Sequence, residues 1–274
     1  MVSATSTAHY IPQLPHPHRA KSNQNAPANP YPTVVGYQNK DVTGGGLFNF
    51  VAPTFDKVDG TVMQLTDLKL EYEGDNQAGQ NVWTLTQGGA TKDEYYYINE
   101  HIAIDLWGDP SAVGWWKDGD ASIPIEEPVY LAYGQGFAVV AGDPVKVTFS
   151  GAVQKEEATV DIAGGGIFNF TGNCIPTNYT LRDLALIYEG DNQAGQNVWT
   201  LTTGGATKQE YYYINEHIAI DIWGDPTAVG WWKDGDASIP ITDEDLEDIT
   251  MPAGKGFAIV AGDPIQLWVP SPLK

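Results

Sequence analysis

Cysteine is almost missing from this chain: there is one, Cys174. A single thiol excludes an internal disulfide framework and any zinc site built on cysteine pairs. Alone, it reads as a small buried hydrophobe. Cations are scarce too. Fourteen Lys and Arg stand against 35 Asp and Glu, a formal net charge of −21. That balance argues against nucleic acid, whose affinity rests on cationic side chains neutralising phosphates. It argues equally against anionic membrane surfaces, and it permits cations, neutral glycans or a basic partner. No run approaches the roughly 18 apolar residues of a membrane-spanning helix. The first twenty residues, MVSATSTAHYIPQLPHPHRA, hold no apolar signal-peptide core. The expectation is a cytosolic chain or a mature one already processed. Phosphate loops, nucleophile elbows and HExxH helices are missing as well, so no enzyme is expected.

What the chain does have is turn and strand chemistry. Thirty Gly and 18 Pro mark many turns, and nine Trp and 14 Tyr favour strands. Charged residues are only 18% of the 274, which excludes a disordered polyelectrolyte and leaves room for two ordinary cores.

The chain is organised around a duplication. Tyr72–Ile125 returns as Tyr188–Ile241, 116 positions on. The 54-residue copies differ only at Gln87/Thr203, Asp93/Gln209, Leu106/Ile222 and Ser111/Thr227. A flanking cassette, Gly44-Gly45-Gly46-Leu47-Phe48-Asn49-Phe50, recurs 120 positions on from Gly164. The flanks have therefore diverged and changed length while the block has not.

Residues 1–33 form a separate arm with six prolines, Arg19 and Lys21, and no acid. Such a segment does not bury enough apolar surface to offset its ordering entropy, and Pro biases it to extended structure. Its +2 charge leaves −23 on the remainder. The expected organisation is an arm over 1–33, one β-domain over 34–153 and a second over 154–274. The short linker implies a head-to-tail arrangement.

In the first copy, alternating apolar residues mark short strands: VVGY at 34–37, LFNF at 47–50, VWTLT at 82–86, YYYI at 95–98 and IAID at 102–105. The pattern GQGFAVV, then Gly142-Asp143-Pro144, then VKVTF, predicts a terminal hairpin. Strands with turns every 8 to 12 residues predict an all-β fold, two tandem β-sandwich or barrel-like domains with an extended N-terminal arm.

On VVGY, the glycine cassette, GQGF at 134–137 and VTFSGAV at 147–153, the chain resembles a group of secreted and surface β-domain proteins of verrucomicrobial and planctomycete-type bacteria. The resemblance covers most of 34–153 and, less well, 154–268. The second copy departs from it at both ends. Gln154–Thr159 do not repeat VVGY, and the chain closes as LWVPSPLK. The resemblance implies an extracellular or cell-surface, non-catalytic role and brings no catalytic residues with it.

Three sets of residues are candidates for function. The acidic turns place Asp75, Asn76, Asp118 and Asp120, with counterparts Asp191, Asn192, Asp234 and Asp236, where tight loops supply the hard oxygens that Ca²⁺ takes. Neither turn has the EF-hand pattern, and plain turn chemistry competes with the metal reading. Trp83, Trp107, Trp115 and Trp116, with Trp199, Trp223, Trp231 and Trp232, offer rings for a glycan or an interface. Adjacent strand residues face opposite sides, so one of Trp115 and Trp116 fills the core and the other is exposed. His101 and His217 lie near Asp105 and Asp221. One histidine per copy beside a strand reads as structural. The expected function is a self-assembling filament or sheath subunit whose arm docks on a neighbouring copy. The alternative is a bivalent carbohydrate-binding module.

Overall fold

The computed structural model describes residues 35–72, 80–85, 92–117, 123–154, 156–188, 191, 196–201, 208–233 and 239–271. In the first repeat the strands are β1 (Val35–Val42), β2 (Leu47–Val51), β3 (Lys69–Glu71), β4 (Gln80–Leu85), β5 (Lys92–Ile98), β6 (Gly114–Lys117), β7 (Phe137–Ala141) and β8 (Val145–Ala152). They pair antiparallel into a three-stranded sheet, β1-β8-β3, and a five-stranded sheet, β2-β7-β4-β5-β6.

Period-two alternation decides which face each strand buries. Val145, Val147 and Phe149 of β8 point inward, and Phe137, Val139 and Ala141 of β7 meet them from the other sheet. Val82 and Tyr95 complete that face. Phe137 and Phe149 pack edge to face across the gap, with ring centroids 6.2 Å apart. This is a sandwich, and among the described residues no sheet closes into a barrel.

The glycine cassette is fixed by one buried side chain. The Asn49 amide reaches the carbonyls of Thr43, Leu47 and Val139, and its oxygen accepts from Thr43 N–H at 3.0 Å. The chain before β2 is thereby pressed onto the β7–β8 turn. A Cβ on Gly44 would stand 2.7 Å from the Gly142 carbonyl, which is why a side chain is missing there. Asn169 repeats the arrangement with Ala163, Ile167 and Ile259.

The second repeat is built alike from β9 (Ala158–Ile162), β10 (Phe168–Gly172), β11 (Tyr179–Thr180), β12 (Ala185–Ile187), β13 (Gln196–Leu201), β14 (Lys208–Ile214), β15 (Gly230–Lys233), β16 (Thr250–Met251), β17 (Gly256–Ala261) and β18 (Ile265–Val269). Its sheets are β12-β18-β9 and β10-β17-β13-β14-β15, with a small β11-β16 pair. β9 takes the place of β1 although VVGY is not repeated there, because Val160 and Ile162 keep the alternation. A short helix, α1 (Asp243–Asp248), is special to this repeat.

One expected strand is a helix. Ile102–Asp105 lie in a π-helical turn, His101–Leu106, matched by His217–Ile222. The Asn99 side chain accepts from Ile102 N–H at 2.9 Å and starts the turn, a capping role Asn favours. Adjacent Ile102 and Ala103 both pack into one small cluster, which the alternating faces of a strand would not allow. They form a minor core with Ile98 and Ala112 on the outer face of the five-stranded sheet.

The two repeats do not follow head to tail. They meet through like edges. Phe50 of β2 and Phe170 of β10 differ by 120 in number and stack at 6.4 Å with planes 6° apart. Gly136 N–H donates to the Phe170 carbonyl, and Ala52 N–H donates to the Gly254 carbonyl. A Cβ on Gly136 would meet the Thr171 carbonyl oxygen at 2.3 Å; one on Gly256 would meet Val51 N at 2.9 Å. Glycines 136 and 256, and residues 51 and 171, are again counterparts. The contact is isologous, as between the subunits of a symmetric dimer. The Gly-x-Gly-Phe signature, read from sequence as a hairpin, is thus the seam between repeats.

Candidate functional site

The seam orders the strands as β6-β5-β4-β7-β2 against β10-β17-β13-β14-β15, so β6 and β15 are the outer edges. The connection into each outer strand carries the π-helical turn. Its buried side fills the minor core. Its other side stands in solvent: Ile104, Leu106 and Trp107 are 47%, 54% and 53% exposed, and Ile220, Ile222 and Trp223 are 46%, 52% and 49% exposed. Two like apolar tips therefore sit at the two outer edges of one body.

Each tip is stiffened by polar bonds. His101 Nδ1 lies 3.0 Å from Asp105 Oδ2, and His217 Nδ1 the same distance from Asp221 Oδ2. The Tyr72 hydroxyl donates to Glu100, and Tyr188 to Glu216. The Tyr72 bond holds the Glu100 carboxyl below its usual range. Burial and the same bond push the Tyr72 hydroxyl up. Asp109 accepts from Ser111 N–H and closes the following turn, as Asp225 does with Thr227. These groups brace the turn.

The tryptophans are divided among several places. Trp115 packs on the main core beside Tyr97, ring centroids 5.1 Å apart, and Trp231 is buried in the same position of repeat 2. Trp116 faces the other way as expected, but packs against the minor core and donates from Nε1 to the Ala112 carbonyl at 2.8 Å. Trp232 does likewise with Ala228. Among the described residues the exposed tryptophan of each repeat is Trp107 or Trp223, and the four tryptophans of a repeat do not share one face. Trp83 and Trp199 lie on the outer sheet face, edge-on to Phe48 and Phe168 at 4.1 and 4.3 Å. Phe48–Phe50, Phe50–Phe170 and Phe168–Phe170 continue the contacts at 6.1, 6.4 and 6.0 Å, an array of six rings running across the seam. Its signal in sequence was the FNF alternation, read there only as a strand.

Of the acidic turn residues, Asp75, Asn76, Asp118, Asp120, Asn192, Asp234 and Asp236 lie outside the described residues. Asp191 is exposed, with Oδ1 3.9 Å from His217 Nδ1. Among the described residues no group of three His, Cys, Asp or Glu is placed to hold a metal. Cys174 is fully buried behind the seam, and burial pushes its thiol up to about 12.

Repeat 1 also carries a groove of about 710 Å³ between the β4–β5 hairpin and segment 123–130. Sequence reasoning gave no sign of it.

Comparison with protein-family models, with curated proteins and with solved structures finds no match. The fold and its surfaces define an all-β, internally duplicated protein.

Proposed function

We propose that the chain is a structural subunit that assembles with copies of itself at an extracellular or cell surface, each copy's N-terminal arm docking on a neighbour. The observation that carries this reading is the exposed apolar tip repeated at both outer edges. A half-exposed cluster of two large aliphatics and a Trp is the kind of patch that marks an interaction site. A tip that pairs with its like leaves the second tip of each copy free, so the contact propagates into an open assembly.

Magnitudes show why the arm belongs in the scheme. Full burial of a large apolar side chain contributes about 1.5–3 kcal/mol. Six half-exposed side chains in one tip-to-tip contact then contribute roughly 5–9 kcal/mol. Association costs about 4–15 kcal/mol before any contact is made. A tip contact alone is marginal, and a docked arm supplies the rest. The net charge of −21 opposes assembly and is screened over about 8 Å at physiological salt. Ca²⁺ at the acidic turns would act in the same direction.

The test is sedimentation velocity on wild type, Trp107→Asp, Trp223→Asp and the double variant. Wild type forms multi-subunit species, either single substitution shortens them, and both together leave monomers. A wild type that stays monomeric at every concentration contradicts the reading.

The alternative, a carbohydrate-binding module, is favoured by the six-ring array, since stacked rings suit the apolar faces of sugars. A glycan array decides it: binding lost on Phe48→Ala and Phe168→Ala but kept in the tip variants would replace the structural reading.

A further inference from the structure

The groove of repeat 1 has an apolar floor and acidic lips. Tyr95, Ile125 and Val129 reach it from the core side. Asp93, Glu126 and Glu127 line it, with Lys117 the one cation among the described lining residues. Tyr130, 55% exposed, stands at its rim.

Repeat 2 treats the same region differently. Between Ile125 and Val129 there are three residues, Glu126-Glu127-Pro128; between Ile241 and Ile249 there are seven. The longer segment folds into the six-residue α1, whose Leu246 is buried in the core with Tyr211 and Trp231, the counterparts of Tyr95 and Trp115. The helix is acidic, and the residue matching Asp93 is there the neutral Gln209. Repeat 2 thus supplies its own apolar anchor. Repeat 1 has no counterpart of Leu246, and it keeps a carboxylate that an acidic helix would oppose.

We infer that the groove of repeat 1 receives the N-terminal arm of a second copy, through the segment Ile11–Lys21, with Leu14 as the apolar anchor. This rests on the proposed function and names the receptor for the arm. Three observations choose the occupant. The arm is the part of the chain with cations and no acid, and Arg19 and Lys21, five and seven positions after Leu14, complement in charge the Asp93, Glu126 and Glu127 that line the groove. Thirty-four residues precede β1, ample to reach a neighbouring body. The prolines on both sides of Leu14 lower the entropy lost on docking, and proline-rich segments settle in grooves lined by aromatic rings such as Tyr95 and Tyr130.

The test uses a fluorescein-labelled synthetic peptide of residues 9–23. It is added to the full-length chain carrying Leu14→Asp, Arg19→Glu and Lys21→Glu, so that its own arm does not compete. Anisotropy should show saturable binding that weakens with salt. Asp93→Gln, Glu126→Gln and Glu127→Gln together should weaken it about tenfold, as expected for three partly exposed charge pairs. Asp93→Gln is compatible with folding because repeat 2 has Gln209 there. Trp107→Asp should leave peptide binding unchanged.

Absence of binding, or binding indifferent to the three groove substitutions, overturns the inference. If the wild-type chain assembles through its tips all the same, the structural reading survives and only the groove assignment fails. A groove that binds peptide in a wild-type chain that remains monomeric contradicts occupancy by a second copy, and the proposed function with it.

Discussion

Replacing Gly136 by alanine tests the seam between the repeats. The new Cβ would lie 2.3 Å from the Thr171 carbonyl oxygen and 3.0 Å from Thr171 C and N. All three are backbone atoms, so relief requires the two repeats to move apart. Overpacking of this kind costs about 1–3 kcal/mol. The Gly136 N–H bond to the Phe170 carbonyl, 3.1 Å long, is in the same place and is stretched, adding about 1 kcal/mol. The expected loss is about 2–4 kcal/mol, a fall in Tm of about 5–15 °C for a protein of this size. Gly256→Ala should cost less, since its nearest neighbour is Val51 N at 2.9 Å. Gly60→Ala is the control: φ is +80° but nothing lies within 4 Å, so only the backbone penalty of about 1 kcal/mol applies. Denaturant unfolding followed by tryptophan fluorescence measures all three. If Gly136→Ala is no less stable than Gly60→Ala, the repeats are not joined as described.

Asn49→Ala removes the side chain that ties the glycine cassette to β7 and should lose about 2–4 kcal/mol in the same assay, with Asn169→Ala close to it. Cys174, buried with its thiol pushed up to about 12, should resist iodoacetamide at pH 8 and react once the chain is unfolded; native labelling at the rate of a free thiol would contradict its placement. Lys40 and Lys255 lie at the seam, and burial lowers both pKa values, with Lys255 also acting on Lys40. A lysine whose folded pKa lies below its unfolded value binds fewer protons when folded, so stability rises with pH through that interval, towards 10.5. Lys255→Gln installs the residue that repeat 1 has at Gln135, and it should raise Tm at neutral pH and flatten that alkaline rise.

Much of the fold was legible in the sequence because strand alternation is local. LFNF, VWTLT, YYYI and the hairpin at 137–149 are read from their neighbours alone. The π-helical turn was not, because Ile-Ala-Ile-Asp alternates like a strand and only the Asn99 cap distinguishes it. The seam was invisible for a different reason. Gly136 and Thr171 are brought together only by the association of two repeats, and no local pattern reports that. Trp107 could not be separated from Trp83, Trp115 and Trp116, since exposure depends on which side of the turn packs on the minor core. The groove lies where repeat 2 has a helix, a difference between segments 126–128 and 242–248 that no local pattern within repeat 1 reports.

The most direct measurement is negative-stain microscopy of the purified full-length chain, with and without Ca²⁺, beside the chain carrying Trp107→Asp and Trp223→Asp. The account predicts extended multi-subunit assemblies for the wild type, strengthened by Ca²⁺, and isolated particles for the variant. Isolated particles for the wild type under both conditions would contradict it.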